Sequence, residues 1–149
     1  MPIPSRIKSS MQKLANPQKA KVLSGFFKTG KGEYGEGDIF LGITVPESRK
    51  IAKRYLHASL QDIENLLQSK IHEHRLVGLL ILVEKFRKAG EAERKPLVSF
   101  YLKNTGHVNN LDLVDLSADK VLGEYLLGRD RRALYRLARS KNLWERRIA

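Results

Sequence analysis

The sequence predicts an all-α domain built from stacked helix pairs, and three observations carry that expectation. Apolar residues recur at steps of three and four along most of the 149-residue chain. Gly90, Gly106 and Gly128 punctuate the later periodic segments at helix ends. No segment makes a convincing strand, and the length suits one domain with a sizeable core.

Ile3, Ile7, Met11 and Leu14 form one apolar stripe of a first helix. Asn16-Pro17 follows as an N-cap with proline at the first helical position, where a missing N–H is harmless. Ala20, Leu23, Phe26 and Phe27 then read as the inner face of a second helix, and the two should open the chain as a hairpin. Gly30, Gly32, Gly35 and Gly37 make Lys28 to Ile39 too glycine-rich for a helix. Their spacing fits neither G-x-G-x-x-G nor G-x-x-x-x-G-K-[ST], so a flexible connection on the binding side is expected rather than a nucleotide loop.

Phe40 to Val45 leads into a helix expected to start at Pro46 and to bury Ile51, Ala52, Tyr55 and Leu56. Ser59-x-x-Asp62 resembles a capping box, with Leu60, Ile63, Leu66 and Leu67 packing inward behind it. Leu76 to Val83 is apolar almost all round and is flanked by His72–Arg75 and Glu84–Lys88. It therefore reads as a buried central helix rather than a strand. Amphipathic segments follow at Glu93 to Asn104, Asn110 to Ala118, Asp119 to Leu127 and Arg131 to Ser140, with another beginning near Asn142. About eight or nine helices with short connections must stack on their neighbours to cover their apolar faces, the solenoid logic of HEAT-like repeats. A compact bundle is the competing architecture. The pattern at Leu143–Ala149 stops without a helix-ending signal, so residues 1–149 are expected to be one helical-repeat domain, the N-terminal portion of a longer protein. An exposed apolar edge there would favour a dimer.

Charge narrows the partners. Lys and Arg number 28 against 16 Asp and Glu, giving +12 and a pI near 10.1. Such an excess attracts polyanions, and nucleic acid comes first because neutralised phosphates release condensed counterions. The plain alternative is a merely soluble basic surface. With no cysteine, a disulfide framework and a thiolate metal site are both excluded. The histidines are His57, His72, His74 and His107, and the rings of the i,i+2 pair His72 and His74 diverge on a helix. They are expected to be solvated or at the core edge, with no metal and no cofactor. Leu76 to Val83 is too short to span a bilayer and Met1-Pro2-Ile3-Pro4 lacks the apolar stretch of a signal peptide, so a soluble cytoplasmic protein is expected.

Two segments could carry chemistry. Within His107-Val-Asn-Asn-Leu-Asp-Leu-Val-Asp-Leu116, Asp112 and Asp115 stand i,i+3 on one helix surface, and Asn109 or Asn110 can cap that helix. Such carboxylates serve a helix N-terminus, or one of them faces a basic groove and stabilises positive charge on a substrate. The stretch Gly128 to Arg147 carries Arg129, Arg131, Arg132, Arg136, Arg139, Lys141, Arg146 and Arg147 against only Asp130 and Glu145. Arg132, Arg136 and Arg139 share a helical stripe, and guanidinium forks suit phosphate oxygens. Trp144, beside Leu143 and Ile148, is read as core.

Three blocks give the chain a resemblance to the AlkD-like DNA alkylation repair glycosylases. They are Tyr34-Gly-Glu-Gly-Asp-Ile-Phe-Leu-Gly-Ile-Thr-Val-Pro46 with Arg49, then Val108-Asn-Asn-Leu-Asp-Leu-Val-Asp115, then Leu143-Trp-Glu-Arg-Arg-Ile-Ala149. The resemblance implies a right-handed α-α superhelix of HEAT/ARM-like repeats whose concave, positive face holds duplex DNA. It also implies metal-free hydrolysis of the N-glycosidic bond of cationic purines such as 3-methyladenine and 7-methylguanine. By position, Asp115 takes the catalytic carboxylate role and Arg147 that of the arginine holding DNA beside it. Leu111 stands at the family tryptophan, with Asn109 and Asp112 as substrate-side neighbours. Lys28, Thr44, Arg49, Lys103 and Arg146 are the implied DNA contacts. Leucine at 111 supplies bulk but no π face. Family members also extend several helices beyond the position of Ala149. The competing readings are a non-catalytic DNA-binding HEAT-like protein and a helical scaffold for acidic protein partners.

Overall fold

Side-chain capping sets half of the helix starts. The computed structural model describes residues 1–149. Helix α1 spans Ile3–Gln12, with Pro4 in its first turn. Helix α2 spans Pro17–Phe26, and the Asn16 side-chain oxygen accepts from the N–H groups of Gln18 and Lys19 at 3.1 Å. Helix α3 spans Val45–Arg54, one residue earlier than the sequence reading. Thr44 and Glu47 form a reciprocal capping box there, so proline falls at the second position. The expected Ser59–Asp62 box opens α4, Leu60–Leu67. Next come α5 (His72–Lys88), α6 (Glu91–Lys103) and α7 (Leu111–Asp115). A π-helical turn at Asp119–Gly123 runs into α8 (Glu124–Leu126), followed by α9 (Arg132–Ala138) and α10 (Leu143–Ile148). The fold is an all-α stack of helical repeats; its only β feature is an isolated parallel bridge between Ile39 and Ile71.

Helix α5 is the axis of the molecule. Helices α3 and α4 pack against it, as do α6, α7 and the π turn. From Leu76 to Leu82 every residue is buried, as the all-round apolar pattern predicts. Gly78 permits the close crossing with α4, since a Cβ there would lie 3.2 Å from the Leu66 Cβ. One hydrophobic cluster runs from Ile7 and Met11 of α1 to Trp144 and Ile148 of α10. Each fully buried aliphatic side chain such as Leu79 or Ile81 contributes about 1.5–3 kcal/mol. No helix is long and apolar enough to cross a membrane.

Three expectations are corrected here. Helices α1 and α2 do not form an opening hairpin, because α1 packs on α3 and α4 instead. The start of α2 is tied to the segment before α3: Asn16 N–H donates to Leu41 O at 2.8 Å. Gly42 makes this approach possible at φ +86°, where a Cβ would meet Asn16 O at 2.1 Å. Consequently α2 buries none of its residues, and Phe26 is 65% exposed; Phe27 alone packs, stacked on Phe40 at 5.3 Å. The segment after Ser117 is π-helical before it becomes α. Finally, His72 and His74 are buried rather than solvated or at an edge, because the first turn of α5 carries its polar residues into the interior.

Candidate functional site

Helix α7 is five residues long and ends in Asp115. Asn110 opens it, its side-chain oxygen accepting from Leu111 N–H at 2.9 Å. Facing it is α10, whose start is fixed by Asn142 accepting from Trp144 N–H at 2.8 Å. Glu145 anchors the same helix by accepting from the hydroxyls of Thr105 and Ser140, both at 2.7 Å, which hold its carboxyl below the usual range. With α10 packed on α7, Arg147 lies opposite Asp115. Arg147 Nε donates to Asp115 Oδ1 and Nη2 to Oδ2, each at 2.9 Å. This is a fork-to-carboxylate pair, and the hydrogen bonds to Asp115 raise the Arg147 guanidinium further. Both remain open to solvent, with Asp115 50% and Arg147 44% exposed.

Hollows flank the pair. Leu111, Tyr34, Leu143, Trp144, Arg146 and Arg147 line one of about 410 Å³. Asp115 and Arg147 share another, of about 370 Å³, with Val114, Ala118, Leu134 and Ile148. Trp144 is buried, as read from the sequence, and meets Tyr34 edge-on at 5.6 Å. Its indole belongs to the wall between the glycine-rich loop and α10. Arg132, Arg136 and Arg139 are exposed, and Arg132 pairs with Asp130 at 2.5 Å.

The structure thus brings Asp115, Arg147, Leu111 and Arg146 together. The remaining sequence candidates lie elsewhere. Asn109 is exposed and lines a polar hollow with Arg75, His107 and Trp144. Asp112 turns away from Asp115: its Oδ1 lies 2.7 Å from His72 Nε2. Thr44 caps α3 and lines an apolar groove with Val22, Phe26, Phe27 and Phe40, where Asp112 forms part of the floor. Lys28 is exposed at the root of the glycine-rich loop with φ +53°, and Arg49 is exposed on α3. Lys103, also exposed, reaches Glu64 at 3.9 Å.

Sequence reasoning missed Asp38, His72, Glu73 and Arg75. Glu73 is buried and accepts from the N–H groups of Leu41, Gly42 and Ile43 at 2.8–3.1 Å, which fixes the segment leading into α3. Asp38 accepts from His72 Nδ1 at 2.6 Å, Arg75 Nη2 at 2.8 Å and Asn110 Nδ2 at 2.9 Å. Burial pushes the Asp38 carboxyl up, but His72, Arg75 and Asn110 outweigh it and hold it down at about 2. Each partner is more than thirty residues away in sequence, which is why no local pattern announces the cluster. No three His, Cys, Asp or Glu side chains converge in an arrangement that could hold a metal ion.

The family profile of DNA alkylation repair enzymes matches residues 7–149. The chain belongs to that family. A solved structure described as a predicted DNA alkylation repair enzyme from Enterococcus faecalis is similar at a TM-score of 0.60 and 21% identity. The match covers 91% of this chain and 63% of that one, so this chain spans less than two thirds of that protein's length. At such identity the likeness speaks for the shared helical fold. No curated protein sequence matches the chain. Within this DNA alkylation repair family member, the second and third sequence blocks meet at the Asp115–Arg147 pair, while the first supplies Tyr34 to one hollow and Asp38 to the buried cluster.

Proposed function

We propose that this family member is a DNA repair glycosylase that hydrolyses the N-glycosidic bond of cationic alkylated purines, such as 3-methyladenine and 7-methylguanine, in duplex DNA. The observation that carries the reading is the half-exposed, bidentate Asp115–Arg147 pair on a chain of net charge +12. A bare carboxylate would repel phosphates, whereas one paired with a guanidinium can sit beside a DNA strand. Arg147 uses two of the roughly four acceptor sites of the carboxylate, so lone pairs remain for the sugar.

The chemistry follows from the leaving group. An alkylated purine already carries positive charge, so when the bond from C1′ to the ring nitrogen breaks, the base departs neutral with the electron pair. The positive charge passes to the deoxyribose, where the Asp115 carboxylate stabilises it. Water adds to C1′ and its proton passes to Asp115 or solvent. Arg147 holds a neighbouring phosphate and keeps the strand in register with the carboxylate. Arg146, Lys28, Arg49, Lys103 and the exposed arginines around α9 supply further phosphate contacts, and Leu111 packs against the sugar.

Leu111 favours a second reading, a DNA-binding protein that does not excise, because a leucine offers no π face to an electron-poor sugar. Release of 7-methylguanine from methylated duplex separates the two. Excision by the wild-type chain and its loss in Asp115→Asn support the glycosylase; salt-sensitive duplex binding without excision supports the second reading. Equal release by both chains removes Asp115 from the chemistry.

A further inference from the structure

Asp38, His72 and Asp112 come from the glycine-rich loop, the start of α5 and the first turn of α7. They meet at the start of α7, at Asp112, while Arg147 is paired with Asp115 at its end. His72 is 1% exposed and lies between the two carboxylates, with Nδ1 2.6 Å from Asp38 Oδ2 and Nε2 2.7 Å from Asp112 Oδ1. The first approach is a hydrogen bond; the second is misaligned for one and is a close charge contact. Asp38 also accepts from Asn110, the residue that opens α7. The first turn of α7 is therefore held at Asn110 and again at Asp112.

A helix of five residues has no stability of its own, so its surroundings decide where it sits. Leu113 and Val114 bury its apolar side, but apolar packing is non-directional and leaves rotation and sliding poorly specified. Directional contacts to the rigid central helix remove that freedom. We propose that Asp38, His72 and Asp112 are positioning residues, in which a protonated His72 clamps α7 to α5 and so sets the Asp115 carboxylate for its reaction. This rests on the glycosylase reading of Asp115.

The protonation follows from donor counting. A neutral imidazole has one N–H, so serving Asp38 would turn a lone pair toward Asp112; only the imidazolium serves both carboxylates. The other charged groups around the ring are Glu73 and Arg75 of α5, with Lys19 of α2 on the rim of the same groove. The ring also stacks on Phe40 at 4.4 Å and lies 5.2 Å from Phe27, which suits a cation. Burial opposes the charge, yet Asp112 and Asp38 outweigh it and raise His72 above its usual value. The clamp is thus closed below the raised value and opens as pH rises through it. Opening slows the chemical step, while duplex binding, carried by surface cations, persists.

The test follows single-turnover release of 7-methylguanine from methylated duplex, from neutral to alkaline pH, with duplex affinity measured at each point. It uses the full chain as wild type, Asp112→Asn and His72→Gln. Nuclear magnetic resonance of the wild type follows the His72 ring and the exchange of the Val114 and Leu116 amides, which bond within the α7 turn. The wild-type rate should fall about tenfold with the His72 titration, with affinity changing less than about twofold. Asp112→Asn, whose amide partners either form of the ring, should lose that alkaline limb. A rate indifferent to the His72 titration, or an unchanged limb in Asp112→Asn, overturns the clamp. Should no base be released at any pH, the glycosylase reading falls and amide exchange decides alone: protection lost with His72 titration supports the clamp, and constant protection overturns it. The wild-type measurements stand even if His72→Gln does not fold.

Discussion

Asp112 and Asp115 stand three residues apart on α7 and have nearly opposite surroundings. Asp112 is mostly covered and faces an imidazole held by a second carboxylate, whereas Asp115 is half open and faces a single guanidinium. The difference teaches how one short helix can be anchored by one carboxylate and leave the next open to solvent. Removing charge from water is costly, so a covered carboxylate survives only among partners that hold the chain in place. An exposed ion pair costs little, contributes little to stability, and is free to exchange partners with a ligand.

The comparison would break first at Asp115. Asp115→Asn should reduce base release by roughly 100- to 1,000-fold, the scale of losing one electrostatic stabiliser of a transition state. Its stability should change by less than about 1 kcal/mol in denaturant titrations, since the pair is open to solvent. A large loss of stability would place Asp115 with the anchoring carboxylates instead.

The reverse is expected of the buried side. Glu73→Ala strands three backbone N–H groups at Leu41, Gly42 and Ile43 and should cost about 3 kcal/mol, read as a lower denaturant midpoint. A midpoint within error of wild type would mean that segment finds other partners.

Acid sharpens the contrast further. The Asp38 carboxyl is lowered from 3.8 to about 2, so its contribution is complete above the unfolded value and is lost as pH falls toward the folded one. That loss is about 2 kcal/mol between roughly pH 4 and pH 2. In Asp38→Asn, this part of the acid dependence should vanish from a series of melts. The smallest effect belongs to the exposed face: Leu111→Trp should raise base release by a few-fold, equivalent to about 0.5–1 kcal/mol of cation–π stabilisation. A fall in rate would show that the hollow beside Arg147 has no room for an indole.

The stop-and-start grammar of the chain was legible because it is local. Asn16 and Ser59 cap helices by reaching two or three residues along their own backbone, and the run Leu76 to Val83 can satisfy its apolar surface only inside. The glycine-rich segment was legible as non-helical, but not its purpose: Gly35 lets the loop close onto Phe27 and Lys28, bringing Asp38 to α5 and α7. The failed hairpin has the same cause. Periodicity reports that α2 has an apolar face, not which neighbour will cover it, and the hydrogen bond from Asn16 to Leu41 directs the helix elsewhere.

By itself, then, the sequence determined an all-helical, strongly basic chain, the caps at Asn16 and Ser59, its central apolar helix, and the pair of residues 115 and 147 by likeness to a family. Tertiary structure alone decided that Asp112 and Asp115 part company, that His72 is enclosed by two carboxylates, and that α2 leaves its aromatic side open. The physical reason is range. Caps and periodicity are written within a few residues, while the partners of a buried charge are chosen by helices that meet only after the chain has folded.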